Sequence, residues 1–413
     1  MKPVLFLSAL LLAFQAHGQI TAEAYRQQVL DYSHELEIAR LQVVEASEQE
    51  RRTRTNLLPE LSAAGLFSVA MRQHDGVKPW SFSLEPAIIQ TLYAGGALRV
   101  ERRRAALAHD VALEEEAFTR FDVRYAADYA YRNLAAMRSY EVVTAEYVGL
   151  VDSLKRVVDR RFAEGYTARG DVLMMEAQLA QARYDLTVAE QRSEVALHNF
   201  NILRGRAGNE SVQLAQPILD SPALPRRVAL GEVLARRNDL ETARLQVLDA
   251  EEAVRQARAP FNPRLGVGVS GQWHPHSPNR TGRTLMDGAV TAEVSVPIFH
   301  WGERRRAVAA ARAAAVQQER RVEQLRDEII RQELNGWTAV ENSLGRMGTV
   351  RENLRIARQN LDLSTYSYSE GLVTILDVLQ AQLNWIQLYT NLIDAYYSYA
   401  VAVADYGRVV ADP

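Results

Sequence analysis

Two aspartates stand at repeated places in this chain. Asp171 follows "RFAEGYTARG" and Asp377 follows "YSEGLVTIL", so each lies six residues beyond a Glu-Gly pair and each is followed by Val-Leu. The two copies are 206 residues apart. Gly165 and Gly371 can take the positive φ that ends a helix in a tight turn. An aspartate just beyond such a turn can cap the next helix and complement its dipole. The same carboxylate is also a fixed negative charge that could attract cations. Both roles stay open at this point.

Other groups with chemical potential are weaker. The runs "RVERRR" and "GERRRA" put Arg102, Arg103, Arg104 and Arg304, Arg305, Arg306 near predicted helix starts, where the dipole disfavours cations. A solvated or salt-bridged face accounts for them, with lipid phosphate groups or an internal passage as alternative surroundings. His274 and His276 flank a proline without a nearby acid to complete a metal site. Glu114, Glu115 and Glu116 read as a solvated helix face. No phosphate-cradling glycine loop and no nucleophile-base-acid set stands out, so neither an enzyme nor a cofactor is expected. Cysteine is absent, which removes thiol catalysis, disulfides, Cys-ligated zinc and lipid attachment to cysteine. With 48 basic and 51 acidic residues among 413, the chain lacks a basic footprint for nucleic acid.

The elements that position the aspartates come from a tandem duplication. "EIARLQVVEA" near residue 37 returns as "ETARLQVLDA" near 241, and "NLLPELSAAG" at 56 aligns with "PFNPRLGVGV" at 260. "TLYAGG" at 91 matches "PIFHWG" at 297. Such repeats outweigh any single motif. Each half predicts a helix (about residues 21–57 and 230–259), a hairpin of alternating strands, a long helix (96–163 and 302–369), and a returning helix (171–204 and 377–408). The long helices could reach about 100 Å at 1.5 Å per residue. In the hairpins Leu61, Ala63, Gly65, Phe67 and Val69 share a face, as do Trp80, Phe82 and Leu84. Leu265, Val267 and Val269, and then Val290, Ala292, Val294 and Val296, do the same in the second half. Strands of roughly ten residues suit an outer-membrane-type bilayer. The last helix carries two opposed seams, one through Leu376, Leu379 and Leu383, the other through Val378, Ala381 and Trp385. Two seams suit a helix with neighbours on both sides.

The start, "MKPVLFLSALLLAFQAHGQ", reads as a signal peptide over residues 1–18. No other apolar run approaches the ~18 residues of a membrane helix. Entry into a membrane would therefore use β-strands, and four strands cannot close a barrel, since the smallest membrane barrels use eight. Several identical chains must then share one.

In order and duplication, "RFAEG" before Asp171, "YSEG" before Asp377, "LYAGG" and "NFNILRG" make the chain resemble the TolC family of outer-membrane efflux channels over essentially all of its mature length. The resemblance implies an α+β membrane protein: a tandem-duplicated α-helical coiled-coil tunnel with four transmembrane β-strands per chain, sharing a twelve-stranded barrel in a homotrimer. Residues 19–208 and 229–413 would be the two repeats, joined at mid-height by 209–228. It implies an outer-membrane duct with a periplasmic tunnel, passive export of small molecules such as drugs, and a periplasmic adaptor and inner-membrane transporter as partners, with outer-membrane lipid around it. Export of polypeptides by a type I secretion system is the alternative within the fold, and a soluble periplasmic coiled-coil adaptor the alternative outside it. Asp377 matches the family's acidic aperture position, with Asp171 its copy; Gln380 stands where some relatives have a second acid. Tyr166 and Leu372, after the corner glycines Gly165 and Gly371, resemble tip residues that meet the adaptor.

Overall fold

The computed structural model describes residues 19–69, 71, 80–276 and 285–411. The expected signal peptide and both outer hairpin turns, 72–79 and 277–284, lie outside the described residues. In chain order the elements are α1 (Ala22–Tyr32), α2 (His34–Thr55), β1 (Glu60–Val69), β2 (Trp80–Ala94), α3 (Ala97–Ala163), α4 (Arg169–Leu203), α5 (Leu230–Arg236), α6 (Asn238–Gln256), β3 (Arg264–His276), β4 (Leu285–Ser295), α7 (Glu303–Ser369) and α8 (Ile375–Val409). The long helices α3 and α7 have 67 residues each and the returning helices α4 and α8 have 35 each.

The helices expected over 21–57 and 230–259 are each broken. Ser33 leaves helical geometry at ψ 114° and separates α1 from α2, and Arg237 does so at ψ 109° between α5 and α6. These positions are 204 residues apart, so the break belongs to the duplicated plan. At the first, Tyr32 lies against Gly205, whose φ is +73°. A Cβ there would stand 2.3 Å from the ring, so only glycine admits this packing. At the second, the Arg237 guanidinium folds onto the Asp239 carboxylate (2.8 Å), a charge-assisted bond made from the extended backbone at Arg237.

Two compact units result. One takes the described residues of Met1–His34, Arg120–Val233 and Arg331–Pro413. Its core is aromatic: Tyr25 stacks on Phe200 at 3.8 Å and donates its hydroxyl to the Phe200 carbonyl at 3.0 Å. Trp385, Tyr399 and Tyr406 are almost fully buried elsewhere in the same unit. The connector is fastened rather than loose. Ile20 bridges Leu214, Arg227 pairs with the buried Glu333 at 3.0 Å, and the Val228 amide donates to the Tyr406 hydroxyl at 3.0 Å. In α8 the seam through Val378, Ala381 and Trp385 is buried, while in the opposed seam Leu379 is buried and Leu376 and Leu383 are exposed.

The second unit comprises Glu35–Thr119 and Leu234–Ile330 and holds a four-stranded antiparallel sheet in the order β1-β2-β3-β4. Helix α3 is joined to α6 by the Arg104–Asp249 pair, 2.8 Å, and to the end of α2 by Asn56 and Glu101, 3.2 Å.

Candidate functional site

The sheet is sided. Antiparallel partners directly opposite one another share a face, and the register makes a row of Leu61, Ile88, Val269 and Val290. A second row holds Gly65, Leu84, Trp273 and Met286. Val290 is 84% exposed and Leu61 75%, so this apolar face is open. The other face carries Ser62, Ala87, Ser270 and Ala289 in one row, with Glu85, Gln272 and Asp287 beside it. Gln272 donates to Glu85 there at 3.1 Å. A sheet in water buries its apolar face and wets its polar one. Here the apolar face is left as open as the polar one, which is an arrangement a lipid solvent permits. Ten residues of strand at about 3.3 Å each, tilted by about 40°, cover about 25 Å, the height of an outer-membrane apolar band. β1 and β4 each have one edge with no strand beside it among the described residues.

The corners are built alike. Gly165 and Gly371 have φ +82° and +77°. The next amide reaches back to close each helix: Tyr166 N–H to the Arg161 carbonyl and Leu372 N–H to the Ser367 carbonyl, both 2.8 Å. Tyr166 and Leu372 are 79% and 74% exposed. The structure thus places these four sequence-derived residues at two exposed helix turns.

The aspartates are held by neighbouring threonines. Asp377 Oδ2 accepts from the Thr374 amide at 2.8 Å and from the Thr374 hydroxyl at 2.7 Å, at the start of α8. These bonds from the Thr374 side chain and backbone keep the Asp377 carboxyl below its ordinary pKa. Oδ1 has no hydrogen bond among the described residues, and the side chain is exposed. In the first corner Ala168 occupies the cap position and gives no side-chain bond. Asp171 instead accepts from the Thr167 hydroxyl.

One residue that sequence reasoning passed over ties the corners together. Arg161 donates to the Ser369 carbonyl at 2.9 Å, and its guanidinium lies 4.5 Å from the centre of the Tyr368 ring. The signal was a departure from symmetry, since Ser367 stands where a second Arg161 would be. Elsewhere, no cluster of three or more His, Asp or Glu able to hold a metal occurs among the described residues. No described helix is long and apolar enough to cross a membrane.

Comparison with known proteins agrees with this geometry. Residues 229–405 match the outer membrane efflux protein family. The pyoverdine export outer membrane protein OpmQ of Pseudomonas aeruginosa is 27% identical over 61% of this chain, and the match spans 53% of its length. The chain therefore spans about half the length of that relative. The outer membrane protein TolC of Salmonella enteritidis is 24% identical over 86% of this chain and 74% of its own. Among solved structures, CusC superposes with a TM-score of 0.82 over 94% of this chain and 91% of that one, at 17% identity. VceC from Vibrio cholerae gives 0.78 over 94% and 95%, also at 17%. The fold is that of an outer-membrane channel protein.

Proposed function

We propose that this chain, a homologue of the TolC-type outer-membrane efflux proteins, is the passive exit duct of a tripartite export pump for small molecules. Three copies share a twelve-stranded barrel in the outer membrane, and their duplicated helical halves, residues 19–208 and 229–413 with 209–228 between them, form a periplasmic tunnel. The observation that carries this reading is the sided sheet with its uncovered apolar face and two unpaired edges. An open edge in lipid leaves unpaired backbone groups without water, so the edges must meet other copies. Leu376 and Leu383, exposed on α8, fit the same need for a neighbour.

The corners form the tunnel's inner end in this reading. Asp377, capped through Oδ2 and kept ionised, presents a carboxylate to the aperture, and Asp171 adds its counterpart. Tyr166 and Leu372, exposed at the turns, meet a periplasmic adaptor, and an inner-membrane transporter supplies the energy. The duct itself needs no cofactor.

Planar-bilayer conductance of detergent-extracted protein, run beside chemical cross-linking, tests the proposal. Discrete cation-preferring steps together with a cross-linked trimer are expected. A chain that leaves membranes without detergent and neither inserts nor conducts would refute it.

A further inference from the structure

Below the sheet, in the same unit, α2, α3 and α6 enclose an open cavity of 840 Å³ whose wall is dominated by arginine. Arg54 comes from the end of α2, Arg255 from the end of α6, and Arg99, Arg102 and Arg103 from the first two turns of α3. The two carboxylates in the wall are taken: Glu50 bonds Arg54 at 2.7 Å and Glu252 bonds Arg255 at 2.5 Å. The hydrogen bond from Arg54, with the charges of Arg54, His109 and Arg102, holds the Glu50 carboxyl below its ordinary pKa. The acid within the arginine run, Glu101, is bonded to Asn56, and Arg104 is engaged with Asp249. That leaves Arg99, Arg102 and Arg103 without an ion pair among the described residues. Three like charges at i, i+3 and i+4 on one helix face repel one another and gain nothing from the helix dipole at that end.

Depth identifies the missing anion. β2 ends at Ala94 and α3 begins at Ala97. Arg99, Arg102 and Arg103 thus lie within about 10 Å of the helix start along its axis. A bilayer's polar layer extends about 6 Å beyond the hydrocarbon on each side, and arginine stems reach toward it. At the same level β1, β2 and β4 run into exposed apolar and aromatic residues: Leu58 at 64%, Leu92 at 54%, Ile298 at 92% and Trp301 at 90%. Phe299 packs edge-on against Trp301 at 4.7 Å. Aromatic and apolar groups at strand ends followed at once by arginines are the pattern of a membrane-water boundary.

We infer that the cavity between α2, α3 and α6 is a binding site for the phosphate headgroup of an anionic phospholipid in the leaflet facing the periplasm. The guanidinium groups of Arg99, Arg102 and Arg103 take the phosphate oxygens in charge-assisted, fork-like hydrogen bonds, while the acyl chains lie against the apolar face of the sheet. The inference rests on the strands spanning a bilayer, as proposed above.

The test compares the purified wild-type protein with Arg99→Gln/Arg102→Gln/Arg103→Gln and with Arg103→Lys, using Arg320→Gln, an exposed arginine elsewhere on α7, as the control. Binding of phosphatidylglycerol and phosphatidylcholine is measured by native mass spectrometry, with inorganic phosphate as competitor. Conductance is recorded on the same samples. An arginine near an anionic surface is worth roughly fivefold in binding, so the triple variant should bind phosphatidylglycerol about 100-fold more weakly. Arg103→Lys should lose less, the control nothing, and phosphatidylcholine should bind weakly throughout. Equal phosphatidylglycerol binding by wild type and triple variant overturns the inference. So does displacement by millimolar phosphate, which marks a free-anion site. Altered ion selectivity with lipid binding intact puts the arginines in the passage and also overturns it. Loss of the trimer with lipid binding intact assigns them to a contact between copies. Wild-type protein that fails to conduct sinks the channel reading itself, a separate result from conduction without lipid preference.

Discussion

Val290 lies at the centre of β4, in the row with Val269, Ile88 and Leu61, and is 84% exposed on the apolar face. Its neighbour Ala289 points to the opposite face, in the row of Ser270, Ala87 and Ser62. Arginine placed at each position therefore separates a lipid face from a wet one with a shift of a single residue. At mid-membrane depth Val290→Arg should destabilise the inserted protein by about 2–4 kcal/mol, whereas Ala289→Arg, with water available, should cost about 0–1 kcal/mol. The difference is roughly 5- to 1000-fold in the equilibrium between inserted and released protein. Urea titration of the protein refolded into phospholipid vesicles measures it directly, with α-helical signal and intrinsic fluorescence followed together. Equal costs at the two positions, or a larger cost at Ala289, would show that the exposed apolar face does not meet lipid. The membrane reading of the sheet would then be wrong.

Four further outcomes follow. Asp377→Asn should widen the conductance steps and reduce cation preference in planar bilayers; unchanged selectivity would confine Asp377 to its cap. Because the Asp377 carboxyl is depressed in the folded chain, its stabilising contribution is complete above about pH 4 and is lost as pH falls through its folded value, so protein carrying Asp377→Asn should lose less stability than wild type between about pH 5 and pH 2 in thermal melts. Gly205→Ala forces a Cβ to 2.3 Å from Tyr32 at a positive φ, so it should lower stability by at least about 1–2 kcal/mol, and Tyr32→Ala in the same chain should return part of the loss in a double-mutant comparison. Arg161→Gln removes the link to Ser369 and Tyr368 and should speed amide exchange at residues 366–371 without changing it in the sheet; equal exchange at the corner would show the link to be idle.

The helical plan was open to sequence reading because its signals are local and doubled. Proline, glycine and the Glu-Gly corner mark ends, and α3 and α7 begin within a residue of the glycines that announce them. The breaks at Ser33 and Arg237 were not legible, since neither residue is a strong breaker and the first depends on Tyr32 meeting Gly205 across the chain. Strand alternation gave the faces of β1 and β4, yet the register shifts in β2 between Phe82 and Leu84 and between Thr91 and Tyr93 leave no mark in composition. At the corners, spacing located Asp171 and Asp377 but not the exchange of Thr374 for Ala168, which makes one a full cap and leaves the other on Thr167. Arg161 and the arginine cavity require tertiary neighbours, Tyr368 in one case and Arg54 with Arg255 in the other.

The two unpaired edges of the sheet also carry a genetic consequence. In the proposed three-chain barrel, soundness would be set by the weakest seam, so a chain with a damaged β1 or β4 edge would not merely fail; it would remove healthy partners from circulation. With damaged and normal chains made in equal amount and mixing at random, about one assembly in eight would be wholly normal. Edge mutations should therefore be dominant over the wild-type copy, and mutations on the wet face of the same strands recessive.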